Sequence, residues 1–333
     1  MKAVFVCNDK KNPLRIYSAE TRKELCRLSG LSDDVYSKDD IIKSKLLFAG
    51  TEYIFSTWGM PEFTKEEIDE IFPSLRCIFY GAGTVQYFAK PFLEKGIKVF
   101  SAWAANAVPV AEYTVAQIIL ANKGFFASSR YQSTGDLEKA AFLKDCYPGS
   151  FGEYVGIIGA GMIGTLVIEM LKNYNLRIKV FDPFLSDEKA EKLGVVKCSL
   201  EEVFSDCFVV SNHLANNKET QNILKKKHFE SMRKYATFLN TGRGAQVVEN
   251  DLCEVLAARD DLTAILDVTH PEPPEKGHPF YRLPNCILTP HIAGSYGDEV
   301  KRMGDYMLNE FINYTDGNCT EYEVTLKMLE TMA

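Results

Sequence analysis

Tyr154-Val-Gly-Ile-Ile-Gly-Ala-Gly-Met-Ile-Gly-Thr165, continued by Leu176-Arg-Ile-Lys-Val-Phe-Asp182, decides how this chain folds. An apolar β-type run enters a glycine-rich turn, Gly159-x-Gly161-x-x-Gly164, and passes into a helix. Each glycine answers a steric demand: Gly159 the tight turn, Gly161 the approach of backbone to a pyrophosphate, Gly164 the close packing of helix on strand. The helix start, with Met162 and Ile163 in the variable positions, offers free N–H groups and partial positive charge to phosphates. Asp182 ends the second β-like run, where a carboxylate can accept hydrogen bonds from both hydroxyls of an adenosine ribose. That favours NAD over NADP, whose 2′-phosphate an Asp repels. A glycine turn used only for tight packing would explain the glycines but not Asp182.

Outward from this stretch, β-like runs recur at 155–158, 178–181, 208–211, 236–239, 263–268 and 286–288. Six parallel strands with helices between them make a complete dinucleotide-binding domain. Ser199-Leu-Glu-Glu202 is a capping box that starts one of those helices. Upstream, residues 1 to 100 alternate β-like runs (3–7, 52–56, 75–80, 97–101) with helical segments, again the pattern of a parallel α/β sheet. Thr64-Lys-Glu-Glu67 is a second capping box, with Pro73 as the stop. Gly81-Ala-Gly83-Thr-Val85 is a second glycine turn at the end of a strand, the edge where ligands sit in open α/β sheets. Residues 113–126 read as a long apolar helix opened by Pro109 and buried, 128–153 as a connection, and 298–314 as an amphipathic helix ended by Asp316-Gly317.

The 333 residues, 46% hydrophobic, suffice for two buried cores. A net charge of −7 argues against a nucleic-acid partner, since phosphate backbones need clustered basic surface. The one basic run, Lys225-Lys-Lys-His228, reads as a solvated helix end. No uninterrupted apolar segment of membrane-span length is read, and no signal-peptide pattern, so the expectation is a cytoplasmic protein without a membrane partner. Nine scattered cysteines, with no Cys-x-x-Cys or close Cys/His pair, read as small buried hydrophobes in a reducing compartment, and no metal is expected.

Three further strand ends carry chemistry. Phe238-Leu-Asn-Thr-Gly-Arg243-Gly244 delivers a guanidinium able to grip a carboxylate through two parallel hydrogen bonds. Ile265-Leu-Asp267-Val-Thr-His270-Pro-Glu272-Pro273 carries two acids: Asp267, placed to meet a nicotinamide carboxamide, and Glu272, enclosed by two prolines. Leu288-Thr-Pro-His291 places an imidazole suited to proton transfer, and a carboxylate beside an imidazolium stabilises it, so Glu272 and His291 together would make a proton donor. Each feature has a plain structural explanation (surface ion pair, turn former, core histidine), but arginine, acid and histidine at one sheet edge make coincidence less attractive. His213 also follows a strand and reads as cofactor environment, whereas His228, His270 and His278 read as surface or turn residues.

These motifs resemble the D-isomer-specific 2-hydroxyacid dehydrogenases over nearly the whole chain. The nucleotide turn, His213 to Thr220, Asn240-Thr241-Gly-Arg243-Gly244, Leu266-Asp267 to Pro273 and Leu283 to Ser295 fall in family order and near family spacing. The resemblance implies a Rossmann dinucleotide-binding domain (104–296) inserted into a flavodoxin-like α/β catalytic domain (1–103 plus 297–333). It implies that Arg243 orients a 2-oxo acid, that His291 is the acid/base, that Glu272 hydrogen-bonds it, and that Thr241 belongs to the cofactor site. It further implies that the turn Gly81–Thr84 presents backbone N–H groups to the substrate carboxylate, with Gly83 and Thr84 as substrate-binding residues, that Asn106 lies near the nicotinamide, and that residues 110–120 serve a homodimer. Departures are Gly83-Thr84-Val85 where the family often has Gly-Val-Asp, Leu214-Ala215 for Leu-Pro, and Met162-Ile163 for Arg-Ile, which removes a pyrophosphate cation. A hydroxypyruvate/glyoxylate reductase or phosphoglycerate dehydrogenase remains open, although 56–60 and 81–85 supply no cation for a phosphorylated substrate. Trp58, Met60 and Trp103 suit either core packing or selection of an apolar substrate. The rival of another class is a dinucleotide-sensing, non-catalytic binding protein of the same fold.

Overall fold

The computed structural model describes residues 2–330. The chain falls into two compact units, one running to Asn106 and resuming at Ser295, the other Ala107–Gly294. The sequence placed these breaks at 103/104 and 296/297.

In the first unit, β1 (Ala3–Val6), β2 (Val35–Tyr36), β3 (Tyr53–Ser56), β4 (Cys77–Tyr80) and β5 (Lys98–Ser101) pair in parallel in the order β2-β1-β3-β4-β5. β1, β3 and β4 are buried at every position, because parallel strands covered on both faces alternate with nothing polar. Phe55, Phe79 and Phe100 stack across neighbouring strands with centroids 5.2 and 5.0 Å apart. The capping box at Thr64 forms as expected, its hydroxyl accepting from the Glu67 N–H and Glu67 accepting from the Thr64 N–H.

In the second unit, β6 (Phe151–Ile158), β7 (Asn175–Phe181), β8 (Val196–Lys197), β9 (Val209–Asn212), β10 (Thr237–Asn240), β11 (Thr263–Leu266) and β12 (Cys286–Leu288) form one sheet ordered β8-β7-β6-β9-β10-β11-β12. Every pairing is parallel. Strand order reverses between β6 and β9, which opens a crevice at their carboxyl ends. β8 is the strand of this sheet that sequence reading missed, as it missed β2 in the first unit; two residues carry no periodic signal. The chain then returns: the helix Lys301–Asp316 puts Phe311 against Phe55 and Phe79 at 5.5 and 5.4 Å, and β13 (Glu323–Val324) pairs antiparallel with β5. Gly317, at φ 75°, ends that helix in the left-handed conformation.

Three readings need correction. The long apolar helix runs Trp103–Asn122 with Pro109 inside it, and Gly124 at φ 67° separates it from a second helix, Phe125–Thr134. At twenty residues it is long and apolar enough to cross a membrane by length and composition, contrary to the sequence reading; half of it is buried here, with Ala111, Val115 and Ile118 in one buried apolar cluster with Val155 and Ile157 of β6. Its apolar character is that of a core helix. The segment 128–153 is not mere connection, since it contains most of Phe125–Thr134 and all of Leu137–Leu143. All nine cysteines are free, but Cys26 and Cys319 are exposed rather than core residues.

Candidate active site

Every residue in the site core belongs to the second unit. At the carboxyl end of β6 the chain turns at Gly159 with φ 92°, and a Cβ there would stand 2.8 Å from the His213 carbonyl oxygen. Gly161 caps the helix Met162–Leu171, and a Cβ on it would meet nothing within 4 Å, so the space above the turn is open. A Cβ on Gly164 would collide with the Gly159 carbonyl oxygen. The three glycines thus have the tight turn, the open approach and the close helix packing that their spacing suggested. Asp182, at the end of β7, accepts the Ala160 N–H at 2.6 Å and the Phe184 N–H at 2.7 Å. A carboxylate has about four acceptor sites, so Asp182 keeps capacity for a ribose hydroxyl. This cradle fits a dinucleotide: an open helix N-terminus for phosphates, with an acid at the neighbouring strand end. Met162 is half exposed and supplies no charge, but the Lys189 ammonium donates to the Ala160 carbonyl at 3.1 Å, bringing a cation to the same turn.

At the end of β9, His213 is 9% exposed, with Nε2 2.8 Å from Ser211 Oγ and Nδ1 3.4 Å from Thr241 Oγ1. Burial pulls its pKa down from the usual 6.5 to about 3, so this imidazole is neutral at physiological pH. Thr241 is also buried, its hydroxyl 3.3 Å from that of Thr114.

β10 ends in a loop set by three buried amides that sequence reading did not single out. Asn212 donates to Asn240 Oδ1 at 3.0 Å and to Gln246 Oε1 at 2.6 Å; Gln246 Oε1 also accepts the Arg243 N–H at 3.1 Å. The signal, in retrospect, is a polar residue closing each apolar strand. The loop presents Arg243, whose Nη1 donates to the Gly242 carbonyl at 2.7 Å and which has no carboxylate within 4 Å among the described residues. Burial lowers its pKa, opposed by the charge of Glu272. Arg243, Glu272, Thr269, His270, Asn216 and Gln221 line an open cavity of about 350 Å³.

After β11, Asp267 is 1% exposed and builds the turn that carries the histidine. Its Oδ1 accepts from the Thr289 hydroxyl at 2.6 Å and the Ile292 N–H at 2.8 Å; its Oδ2 accepts the Ala293 N–H at 2.9 Å. That is the turn-forming role weighed against a nicotinamide contact. His291 stands on this turn at φ 54°, a left-handed conformation rare outside glycine. Its Nδ1 is 2.6 Å from Glu272 Oε1, so the pair expected from the sequence is formed. His228 needs correction: it is 3% exposed, stacked on Phe204 at 5.3 Å, with Nδ1 accepting the Lys225 N–H. It is a packed histidine that starts a helix.

The remaining sequence-derived residues lie in the first unit. The turn after β4 uses the Gly81 and Ala82 N–H groups on the Ser56 and Tyr80 carbonyls, both at 2.8 Å. Ser101 Oγ donates to the carbonyls of Ala82 and Gly83. Two of this turn's N–H groups, those of Gly81 and Ala82, are thus already engaged within the unit. Asn106 Oδ1 accepts the Ser295 N–H at 3.0 Å. Met60 is buried, Trp103 packs edge-on against Tyr322 at 5.6 Å, and Trp58 is partly exposed.

The family model for the NAD-binding domain of D-isomer-specific 2-hydroxyacid dehydrogenases matches residues 115–293, more than half of the chain. A D-3-phosphoglycerate dehydrogenase of Archaeoglobus fulgidus is 29% identical over 237 residues, which are 71% of this chain and 44% of that protein. A glyoxylate reductase of Korarchaeum cryptofilum is 27% identical over 75% of this chain and 76% of its own length. The chain thus spans about half the length of the phosphoglycerate dehydrogenases it matches. Among solved structures, the TT0316 protein of Thermus thermophilus is 25% identical with a TM-score of 0.72, covering 97% of this chain and 100% of that one. The D-mandelate dehydrogenase of Rhodotorula graminis, 17% identical over 97% of each chain, shares the fold with a TM-score of 0.80. This chain belongs to the D-isomer-specific 2-hydroxyacid dehydrogenase family, and its second unit is that family's NAD-binding domain.

Proposed function

We propose that this protein interconverts a 2-oxo acid and a D-2-hydroxy acid, with His291 as acid/base. The turn at Gly159, Gly161 and Gly164 would hold the pyrophosphate of NAD and Asp182 its adenosine ribose, and the bound cofactor would supply or accept the hydride at C2. The observation that carries the reading is the His291–Glu272 pair. Glu272 accepts from Nδ1–H, which fixes the tautomer and leaves Nε2 as the atom that gives a proton to the carbonyl oxygen or takes it from the hydroxyl. Arg243, steadied by the Gly242 carbonyl and without an ion-pair partner among the described residues, is supported as the group that holds the substrate carboxylate and stabilises charge on the carbonyl oxygen. Gly83, Thr84 and Asn106 are assigned to the substrate side on the family pattern alone. The non-catalytic sensor is less well supported, since such a protein has no use for the Glu272–His291 pair.

A homodimer is also proposed, supported by large exposed apolar residues in the second unit: Phe125 at 49%, Leu137 at 58%, Phe142 at 59% and Phe151 at 82%. A cytoplasmic setting is proposed as well. Consumption of NADH with a panel of 2-oxo acids, followed by absorbance, tests the activity. Replacing His291 by Ala should lower turnover on the order of 10²–10⁴-fold with NADH affinity retained. Turnover near wild type in that variant would sink the proton-donor assignment.

A further inference from the structure

Glu249 is the first residue of the helix Glu249–Ala258, where a glutamate ordinarily faces water or caps its own helix. It does neither. Its side chain is only 11% exposed, the helix has no side-chain cap, and Oε1 instead accepts the backbone N–H of His270 at 2.7 Å, 21 residues further along. Its Oε2 lies 3.8 Å from His278 Nε2. His278 Nδ1 accepts the Phe280 N–H, so a neutral His278 carries its proton on Nε2, facing Glu249. Cys253 and Cys286 are the other titratable groups nearby. Burial pushes Glu249 up to about 7, with the His270 N–H opposing, so near neutrality the carboxyl is about half in its uncharged form and accepts from His270 in either state.

The captured segment is the one that carries Glu272. Thr269 and His270 lie against Gly244, where a Cβ would collide with the Thr269 carbonyl, and Thr269 Oγ1 donates to the Pro271 carbonyl at 2.9 Å. Glu272 is 41% exposed and has no hydrogen bond among the described residues other than that to His291, so its aim depends on its backbone. We infer that Glu249 is a positioning residue: by holding the His270 N–H it fixes the backbone from which Glu272 reaches His291. This rests on the catalytic reading of that pair. Its own content is that the acceptor on Glu249, not its charge, sets the pair's geometry.

The test compares Glu249→Ala, Glu249→Asp and Glu249→Gln with wild type. Four quantities are read: amide hydrogen exchange across residues 267–274, the NADH dissociation constant by fluorescence, and kcat and KM on the best 2-oxo acid. Ala lacks the acceptor and Asp is one methylene too short. In both, exchange at His270 should quicken and kcat should fall on the order of tenfold or more, with NADH affinity unchanged, because small misplacements of a catalytic group carry penalties of that size. Gln keeps an oxygen at the same reach and should restore slow exchange and most of kcat. Exchange or kcat in the Asp variant equal to wild type overturns the inference, as does a folded Gln variant as impaired as Asp. A wild type inert towards every acid overturns the reaction assigned to His291 instead, and the exchange measurements still decide the anchor.

Discussion

Replacing His213 by Gln should make the nucleotide-binding unit more resistant to acid. The imidazole is buried, with Ser211 and Thr241 on its two nitrogens, and burial lowers its pKa to about 3. In the unfolded chain it titrates near 6.5, as exposed histidines do. Because the folded value is the lower one, the stability tied to the neutral ring is fully present above pH 6.5. It is lost as pH falls from there towards 3, when the unfolded chain binds a proton the fold refuses. Each pH unit in that window removes about 1.4 kcal/mol, so between pH 7.5 and pH 4.5 wild type should lose about 3 kcal/mol through this residue alone. Glutamine offers polar atoms to both partners and binds no proton. Urea unfolding at the two pH values, read by pulse-labelling exchange of the β9 amides, gives a pH-dependent loss for each protein; carboxylates common to both cancel in the difference. The loss should be about 3 kcal/mol smaller in the variant. Equal losses in the two proteins would refute the argument that the ring is held neutral by burial.

Two other substitutions probe the nucleotide turn. Gly164→Ala drives a methyl into the Gly159 carbonyl, and overpacking of that kind should destabilise by about 1–3 kcal/mol and weaken NADH binding, both measurable by thermal unfolding with and without NADH. Asp182→Ala removes the acceptor for the Ala160 and Phe184 N–H groups as well as for the ribose. NADH affinity by fluorescence titration should fall on the order of tenfold, as for loss of a charged hydrogen-bond partner, while NADPH affinity falls less because the repelling charge has gone.

What was legible in the sequence was what is decided locally. Gly159, Gly161 and Gly164 answer to steric contacts within a few residues, and the boxes at Thr64 and Ser199 close within a single helical turn. The Glu272–His291 pair could be anticipated because parallel α/β sheets send their strand ends to one edge. What stayed hidden depends on partners far along the chain. Nothing next to Asn212 announces that its amide meets Asn240 and Gln246, and nothing around Glu249 points to His270. His228 looked solvated because three lysines precede it; stacking on Phe204, 24 residues earlier, is what buries it. Pro109 suggested a helix start, yet the helix begins at Trp103 and accommodates the proline inside, a tertiary outcome no propensity foretells.

The aromatic stack of the first unit sets an order of events during synthesis. Phe55, Phe79 and Phe100 are made early, but the ring that closes over Phe55 and Phe79, Phe311, and the strand that pairs with β5 are made some two hundred residues later. Until then the sheet β1–β5 lacks one cover and one neighbour, so apolar surface and a strand edge stay open. The nucleotide-binding unit, contiguous in sequence, has all its strands at hand well before that. It should therefore reach its native form first although it is translated second. The first-made segment is then the one at risk of aggregation while the ribosome finishes the chain.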